Sequence, residues 1–221
     1  FELVTHIGHF SLTGGEPLLH QDVDILVRHI KQYSSQIGVL ELFTNGTIMP
    51  KDSVIDAFGE YDGAVKFCID HYGPDLSVNA ERLADRIKRE LPDAVVELRD
   101  YYTQNMHCDG WVDWGIGQVQ ERTDEEAQEI FNKCSLPQKL DFVSCVNNGV
   151  IYPCPQTRRC IELGYIPFDP KEAVDMFDRS YSDLEIQQRI NERYTLTILR
   201  ACKFCNGQCD DSKRYPPAEQ L

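Results

Sequence analysis

The first hundred residues repeat one pattern: a short apolar run, a polar or glycine-containing turn, and a segment with apolar residues at helical spacing. The apolar runs cover residues 8–13, 39–43, 64–69 and 94–98. Strands that alternate with helices of about 10 to 15 residues are typical of parallel β/α units, in which ligands bind at the carboxyl ends of the strands. The pattern therefore predicts an α/β fold with its candidate site in the turns after the strands.

Each predicted helix of this region carries its apolar residues on one face, as a helix packed on a sheet requires. These residues are Val23, Leu26, Val27 and Ile30, then Val54, Ile55 and Phe58, and finally Leu83, Ile87 and Leu91.

The β/α rhythm fades beyond residue 100, and other local signals replace it. Thr123 with Glu126, and Ser182 with Glu185, predict helices that begin with a capping box. Residues 147–149 (NNG) predict a hairpin, because Asn-Gly accepts the positive φ angles of a tight turn. Asp169-Pro170 predicts the start of a helix carrying Ala173, Val174 and Phe177.

Composition excludes several classes of protein. With 221 residues, 42% of them hydrophobic, the chain can bury an ordinary core as one domain with an appendage. A net charge of −14 disfavours nucleic acid and anionic membrane surfaces as partners. No long apolar run predicts a membrane span or a signal peptide, so we expect a cytoplasmic protein.

The cysteines are concentrated in the second half of the chain. Seven of the nine follow residue 133, and we therefore expect two domains, 1–133 and 134–221. Thiolates from the predicted hairpin and from the Cys202-x-x-Cys205 turn can meet at one metal centre, and four thiolates suit zinc or iron–sulfur. A disulfide framework is the alternative, which a reducing interior compartment disfavours.

The turn after the first strand has the sequence Gly14-Gly15-Glu16-Pro17. Its backbone amides and the Glu16 carboxylate could hold a zwitterionic ligand, and the glycines would allow that ligand a close approach to the main chain. An ordinary tight turn is the alternative interpretation of these four residues.

Three segments together resemble the radical S-adenosylmethionine (SAM) enzymes in motif, order and spacing. They are residues 11–20 (SLTGGEPLLH), 42–47 (LFTNGT) and 67–70 (FCID), and the resemblance spans about residues 5–100. It implies a partial (β/α) barrel of the TIM type.

The resemblance also implies roles for individual residues. Gly14, Gly15, Glu16 and Pro17 would contact the amino group of SAM, an ammonium that needs oxygen acceptors. Asn45 and Cys68 would face the same ligand, although the family often has serine at the position of Cys68, and a thiol is the weaker hydrogen-bonding group. A small buried hydrophobe is the other interpretation of Cys68.

Two charged residues extend this predicted SAM site. Asp70 would point into the barrel mouth toward SAM or substrate, or else serve as a turn residue. Arg99 would pair with the carboxylate of SAM through its planar fork, or else form a surface salt bridge. Trp111 and Trp114 would line a substrate pocket or pack in a core.

One element of the family is absent from these residues. The Cys-x-x-x-Cys-x-x-Cys loop that holds the SAM-cleaving 4Fe–4S cluster should precede Gly14, and residues 1–13 contain no cysteine. We expect a fragment that lacks the first strand, first helix and cluster loop, with a degenerate homologue as the alternative. These 221 residues alone are not expected to cleave SAM.

The cysteine spacing resembles the auxiliary-cluster domain of radical SAM enzymes, of the SPASM type or its shorter twitch relative. The pattern is Cys134-x14-Gly149-x4-Cys154, a gap, then Cys202-x-x-Cys205. It implies a small Cys-rich α+β domain with one auxiliary 4Fe–4S cluster. Its expected ligands are Cys134, Cys154, Cys202 and Cys205, with Cys209 as a substitute, whereas Cys145 and Cys160 are expected to be structural thiols or thiols beside the cluster.

The resemblance implies a function for the intact parent protein. A reductant such as flavodoxin or ferredoxin would supply the electron that splits SAM, and the resulting 5′-deoxyadenosyl radical would abstract hydrogen from a peptide or small-molecule substrate. The auxiliary cluster would bind the substrate or accept an electron. The alternatives are a catalytically inactive homologue and a zinc-stabilised binding or scaffold protein.

Overall fold

A computed structural model describes residues 1–104, 106–107, 110–118, 121–140 and 142–217. The chain divides into two compact units: unit 1 comprises Phe1–Trp111 with Pro216–Leu221, and unit 2 comprises Val112–Tyr215. The sequence-based division placed the boundary after residue 133, whereas the contacts place the helix that precedes Cys134 within unit 2. No helix in the described part of the chain has the length and apolar character needed to cross a membrane.

Unit 1 alternates strands and helices as the apolar pattern predicted. Its elements in chain order are β1 (Ile7–Leu12), α1 (Val23–Lys31), β2 (Ile37–Thr44), α2 (Asp52–Gly59), β3 (Ala64–His71), α3 (Ala80–Glu90) and β4 (Val95–Asp100). The strands form one parallel sheet in the order β1-β2-β3-β4, which confirms the α/β fold. Within the described residues this sheet is open, with β1 and β4 at its edges.

One face of the sheet packs against the helices and forms the core of unit 1. Because side chains alternate along a strand, every second residue of β2 and β3 points to that face. Leu40, Leu42 and Phe67 are almost fully buried there, in the same cluster as the apolar faces of α1, α2 and α3. Leu26 was predicted to face the core, but it is 44% exposed because it lies at the margin of the buried stripe of α1.

The opposite face of the sheet is polar and charged. Glu97 of β4 forms two ion pairs there: Lys66 Nζ, on β3, lies 2.6 Å from its Oε2 atom, and Arg99 Nε, on the same strand as Glu97, lies 3.2 Å from its Oε1 atom. On β2, the buried Glu41 accepts a hydrogen bond from the Ser11 hydroxyl at 2.7 Å. The charges on this face are therefore largely paired with one another.

Unit 2 is built from short elements. They are β5 (Trp111–Val112, whose first residue belongs to unit 1), α4 (Asp124–Lys133), α5 (Ser135–Gln138), β6 (Cys145–Asn147), β7 (Val150–Tyr152), α6 (Pro155–Glu162), β8 (Val174–Asp175), α7 (Asp183–Glu192) and β9 (Arg214–Tyr215). Strands β6, β7 and β8 form an antiparallel sheet, and β5 pairs with β9. Single 3₁₀ turns cover Arg193–Thr195 and Arg200–Phe204.

The local signals of unit 2 are confirmed at three places. Both predicted capping boxes are present, at the first turns of α4 and α7. The hairpin turn between β6 and β7 has positive φ at Asn148 (48°) and Gly149 (79°). A Cβ on Gly149 would meet the exposed ring of Phe177, which would have to move, so the positive φ is the stronger reason for glycine here.

The helix predicted after Asp169-Pro170 is wrong. A single turn forms, in which the Ala173 amide donates to the Asp169 carbonyl and the Lys171 amide donates to the Asp169 carboxylate. The chain then becomes extended, because Val174 pairs with Ile151 as strand β8. At this position the backbone forms hydrogen bonds to the neighbouring strand instead of further hydrogen bonds within a helix.

Candidate functional site

A cavity of about 560 Å³ opens at the carboxyl ends of the strands of unit 1. This volume is within the range of small-molecule sites, which is about 300 to 1,000 Å³. The residues that line it are Thr13, Gly14, Gly15, Glu16, Phe43, Thr44, Asn45, Thr47, Asp70, Tyr72, Leu76, Ser77 and Trp111. The sequence-predicted residues Gly14, Gly15, Glu16, Asn45 and Asp70 therefore come together, and Pro17 begins the 3₁₀ turn that follows them.

The Glu16 carboxylate joins the turns after β1 and β2. Its Oε1 atom accepts from the Leu18 amide at 3.1 Å and from the Thr44 hydroxyl at 2.9 Å. Its Oε2 atom accepts from the Asn45 amide at 2.8 Å. A carboxylate has about four acceptor positions, so capacity for a ligand donor remains on Oε2.

The turn after β2 is fixed by its own side chains. The Asn45 Oδ1 atom accepts from the Thr47 amide at 3.0 Å and from the Thr47 hydroxyl at 2.6 Å. Gly46 has φ +68°, and a Cβ there would lie 2.7 Å from the Cβ of Ala80. Asn45 thus forms part of the cavity wall, and its side-chain oxygen already accepts two hydrogen bonds from Thr47.

Asp70 contributes a carboxylate whose Oδ1 atom is buried without a hydrogen bond. The nearest cation to it is Arg99, with Nη1 at 3.8 Å from Oδ1. Burial raises the pKa of Asp70, and the charge of Arg99 opposes that rise. The carboxylate is therefore incompletely compensated at the wall of the cavity.

Cys68 and Arg99, both predicted to contact the ligand, are absent from the residues that line the cavity. Cys68 is fully buried, and burial raises the pKa of its thiol to about 11. Arg99 donates to Cys68 Sγ at 3.4 Å, pairs with Glu97 and covers the ring of Phe43 at 4.9 Å. Arg99 therefore contacts two residues of the cavity wall, Phe43 and Asp70, without lining the cavity itself.

Sequence analysis missed Tyr72, which lines the cavity directly after β3. The rule that ligand sites follow the carboxyl ends of strands would have selected it. Its ring meets that of Trp111 edge to face, with centroids 5.6 Å apart. Burial raises the pKa of Tyr72, and the charge of Asp70 raises it further.

Glu97 leads to a pH prediction. Its hydrogen bond with Lys66, supported by Arg99, lowers the pKa of Glu97 from 4.5 to about 2. A carboxyl with a lowered pKa stabilises the folded state above its ordinary pKa and loses that contribution as pH falls toward the folded value. We expect the free energy of unfolding to fall between pH 4.5 and about 2, and to fall less steeply in Glu97→Gln.

Urea unfolding at about pH 5 and about pH 3 measures this slope. Glu125→Gln, which changes an exposed glutamate on the first turn of α4, is the matched control and should keep the slope of the unmodified chain. An unchanged slope in Glu97→Gln would contradict the assignment.

Unit 2 contains a second, apolar cavity of about 30 Å³. Four of the five predicted metal ligands line it: Cys134, Cys154, Cys202 and Cys205. They come from the end of α4, the start of α6 and the 3₁₀ turn with the residue after it. The fold therefore brings distant stretches of sequence to one point.

Backbone amides point at the sulfurs of these cysteines. Cys134 Sγ accepts from the Gln208 amide at 3.4 Å, and Cys205 Sγ accepts from the Gly207 amide at 3.3 Å. The Cys154 thiol, at the N-cap of α6, meets the amides of Gln156 and Thr157. The amide of Leu199 is near the sulfur of Cys202 in the same way. Such donors stabilise a thiolate.

Burial acts in the opposite direction. It raises the pKa of Cys202 to about 12 and raises those of Cys154 and Cys205 as well. A positive charge beside these three sulfurs would favour their thiolates, and a metal centre is the usual source of such a charge.

Three further cysteines of unit 2, all within the described residues, are not among the residues that line this cavity. Cys209, the predicted substitute ligand, is buried, and its thiol lies 3.8 Å from the carbonyl of Asn206 and 4.0 Å from that of Ile130. Cys160 belongs to a small cluster with Ile166 and Ala201, and Cys145 lies on β6. All are free thiols. Cys209 therefore faces main-chain acceptors and not the four-cysteine cavity.

Single-ion sites and known relatives add no further assignment. Within the described residues, no group of three or more His, Cys, Asp or Glu side chains has the arrangement to hold one metal ion. Comparison of the chain with protein-family models, with curated proteins and with solved structures found no match.

Proposed function

We propose that this chain is the SAM-binding and auxiliary-cluster portion of a radical SAM enzyme. The observation that carries the proposal is the convergence of Cys134, Cys154, Cys202 and Cys205 on one cavity, with backbone amides directed at their sulfurs. Their order resembles that of the auxiliary-cluster pattern, although a full SPASM domain carries further cysteines that this sequence lacks.

The donor set fits a 4Fe–4S cluster held by Cys134, Cys154, Cys202 and Cys205, because such clusters are bound by four thiolates. A single zinc ion about 2.3 Å from each sulfur would need the sulfurs within about 4 Å of one another. No group of three or more such side chains in the described residues has the arrangement for a single ion, which favours the larger cluster. The cavity of about 30 Å³ is smaller than the cluster, so loading requires the lining side chains to move apart. When bound, the cluster supplies one-electron redox chemistry.

The cavity of unit 1 is the proposed SAM site. The Gly14-Gly15 backbone borders it, and a Cβ on either glycine would meet nothing within 4 Å, so a ligand can lie against the main chain. Glu16 presents its carboxylate oxygens to the ammonium of SAM, and Asp70 presents a second carboxylate to another part of the ligand. In this proposal, the charged face of the sheet corresponds to the face that lines the interior of a partial (β/α) barrel.

For these residues we propose SAM binding in unit 1 and electron transfer by the cluster of unit 2. The chain contains no Cys-x-x-x-Cys-x-x-Cys loop, so SAM cleavage to the 5′-deoxyadenosyl radical is proposed only for a protein that also carries this loop. There, a flavodoxin- or ferredoxin-type reductant would supply the electron, and a peptide or small molecule would lose hydrogen.

Anaerobic reconstitution of the chain with iron and sulfide tests the proposal. We expect a brown protein with bound iron and acid-labile sulfide, and SAM binding measured by calorimetry. A colourless protein that retains zinc would favour the zinc-stabilised scaffold instead. Iron binding without SAM binding would favour a homologue that has lost its activity.

A further inference from the structure

The cavity of unit 1 has a one-sided charge. Glu16 and Asp70 line it, and none of the described residues that line it is a lysine or an arginine. Arg99, the nearest cation to Asp70, is not among the lining residues, and it is already paired, at 3.2 Å from Glu97 and 3.8 Å from Asp70. An anionic ligand would therefore meet two carboxylates without a facing cation.

The Asp70 carboxylate is only loosely paired, because Arg99 Nη1 lies 3.8 Å from its Oδ1 atom. Its Oδ1 atom is buried and makes no hydrogen bond. A buried carboxylate oxygen that accepts no hydrogen bond is incompletely stabilised, so a cation beside it gains more than it would at an exposed carboxylate.

Three aromatic residues, Phe43, Tyr72 and Trp111, also line the cavity. Tyr72 and Trp111 meet at 84° with centroids 5.6 Å apart, so their ring planes are nearly perpendicular. Phe43 also lines the cavity, but Arg99 already covers its ring at 4.9 Å. Aromatic faces attract cations, and they attract weakly hydrated cations such as quaternary ammonium groups most readily, because little hydration is lost on binding.

We infer that this cavity selects an organic onium cation, a sulfonium or a quaternary ammonium, through the rings of Tyr72 and Trp111 and the carboxylate of Asp70. The choice of SAM as its sulfonium ligand rests on the proposed function, whereas the preference for a cation does not. Tyr72 and Trp111 then determine specificity, because they distinguish SAM from its neutral demethylated product.

Calorimetric titration of the chain with SAM, S-adenosylhomocysteine and tetramethylammonium tests the inference. We expect SAM to bind about tenfold more tightly than S-adenosylhomocysteine, and tetramethylammonium to compete with SAM. Equal affinities for the charged and neutral ligands would overturn the inference.

Variants identify the groups responsible. Trp111→Leu and Tyr72→Leu should weaken SAM binding about tenfold and leave S-adenosylhomocysteine binding within about twofold, whereas Tyr72→Phe keeps the ring and should bind as the unmodified chain does. Asp70→Asn removes the charge at nearly constant shape and should have the same selective effect. Phe168→Leu, an exposed aromatic of unit 2, is the control. Equal weakening of both ligands would overturn the inference.

The two proposals fail differently. Tetramethylammonium binding that depends on Trp111 and Asp70, without SAM binding, would support the cation site and overturn the SAM proposal. Absence of binding by all three ligands to a chain with a folded circular dichroism spectrum would overturn the cation site.

Discussion

Replacing Cys154 by alanine is expected to abolish cluster binding after anaerobic reconstitution. Cys154 is buried at the N-cap of α6, where the amides of Gln156 and Thr157 favour its thiolate. Removal of one thiolate from a four-thiolate site leaves an iron without a protein ligand and a helix terminus without its anion. Iron content and visible absorbance should fall to background.

The matched control is Cys145→Ala in the same unit. Cys145 lies on β6 and does not line the four-cysteine cavity, so this variant should bind as much iron as the unmodified chain. Cys209→Ala should behave like the control, because Cys209 also lies outside the cavity lining. Full iron content in Cys154→Ala would show that the sulfurs at this cavity do not hold the cluster.

The largest effect on stability is expected for Leu42→Ala. Leu42 is 1% exposed on the helix-covered face of β2. Replacement of a buried leucine by alanine costs about 2 to 5 kcal/mol, because transfer free energy is lost and a cavity remains. The midpoint of urea unfolding, followed by circular dichroism, should fall accordingly.

Leu19→Ala is the matched control for this change. Leu19 belongs to the same unit but is 71% exposed, and such surface substitutions change stability by about 0.5 kcal/mol or less. Similar losses in the two variants would contradict the assignment of the helix-covered face as the core.

The strands of unit 1 could be predicted because the physics is local and repetitive. Apolar runs bounded by glycine and polar turns correspond to β1, β2, β3 and β4, since a buried parallel strand needs apolar residues on its covered face. The hairpin at Asn148-Gly149 and the capping boxes could be predicted for the same reason, because the atoms that specify them are within a few residues.

Predictions that depend on distant contacts fared differently. The helix after Asp169-Pro170 was wrong because Val174 pairs with Ile151, which is remote in sequence. Arg99 was expected to face the ligand, and no local signal indicated that Glu97 and Lys66 would form a paired network beside it. The position of Cys209 outside the cavity likewise depends on the path of residues 206–212 and not on the cysteine spacing.

The bridge made by Glu16 has a consequence for how a ligand associates. Because its carboxylate already connects Leu18, Thr44 and Asn45, both loops adopt one arrangement before anything arrives. The conformational entropy of these loops is lost once, when the chain folds, and is not lost again at each encounter with a small molecule. The two turns that border the cavity are thus preorganised, and they keep one conformation when a ligand binds and when it leaves.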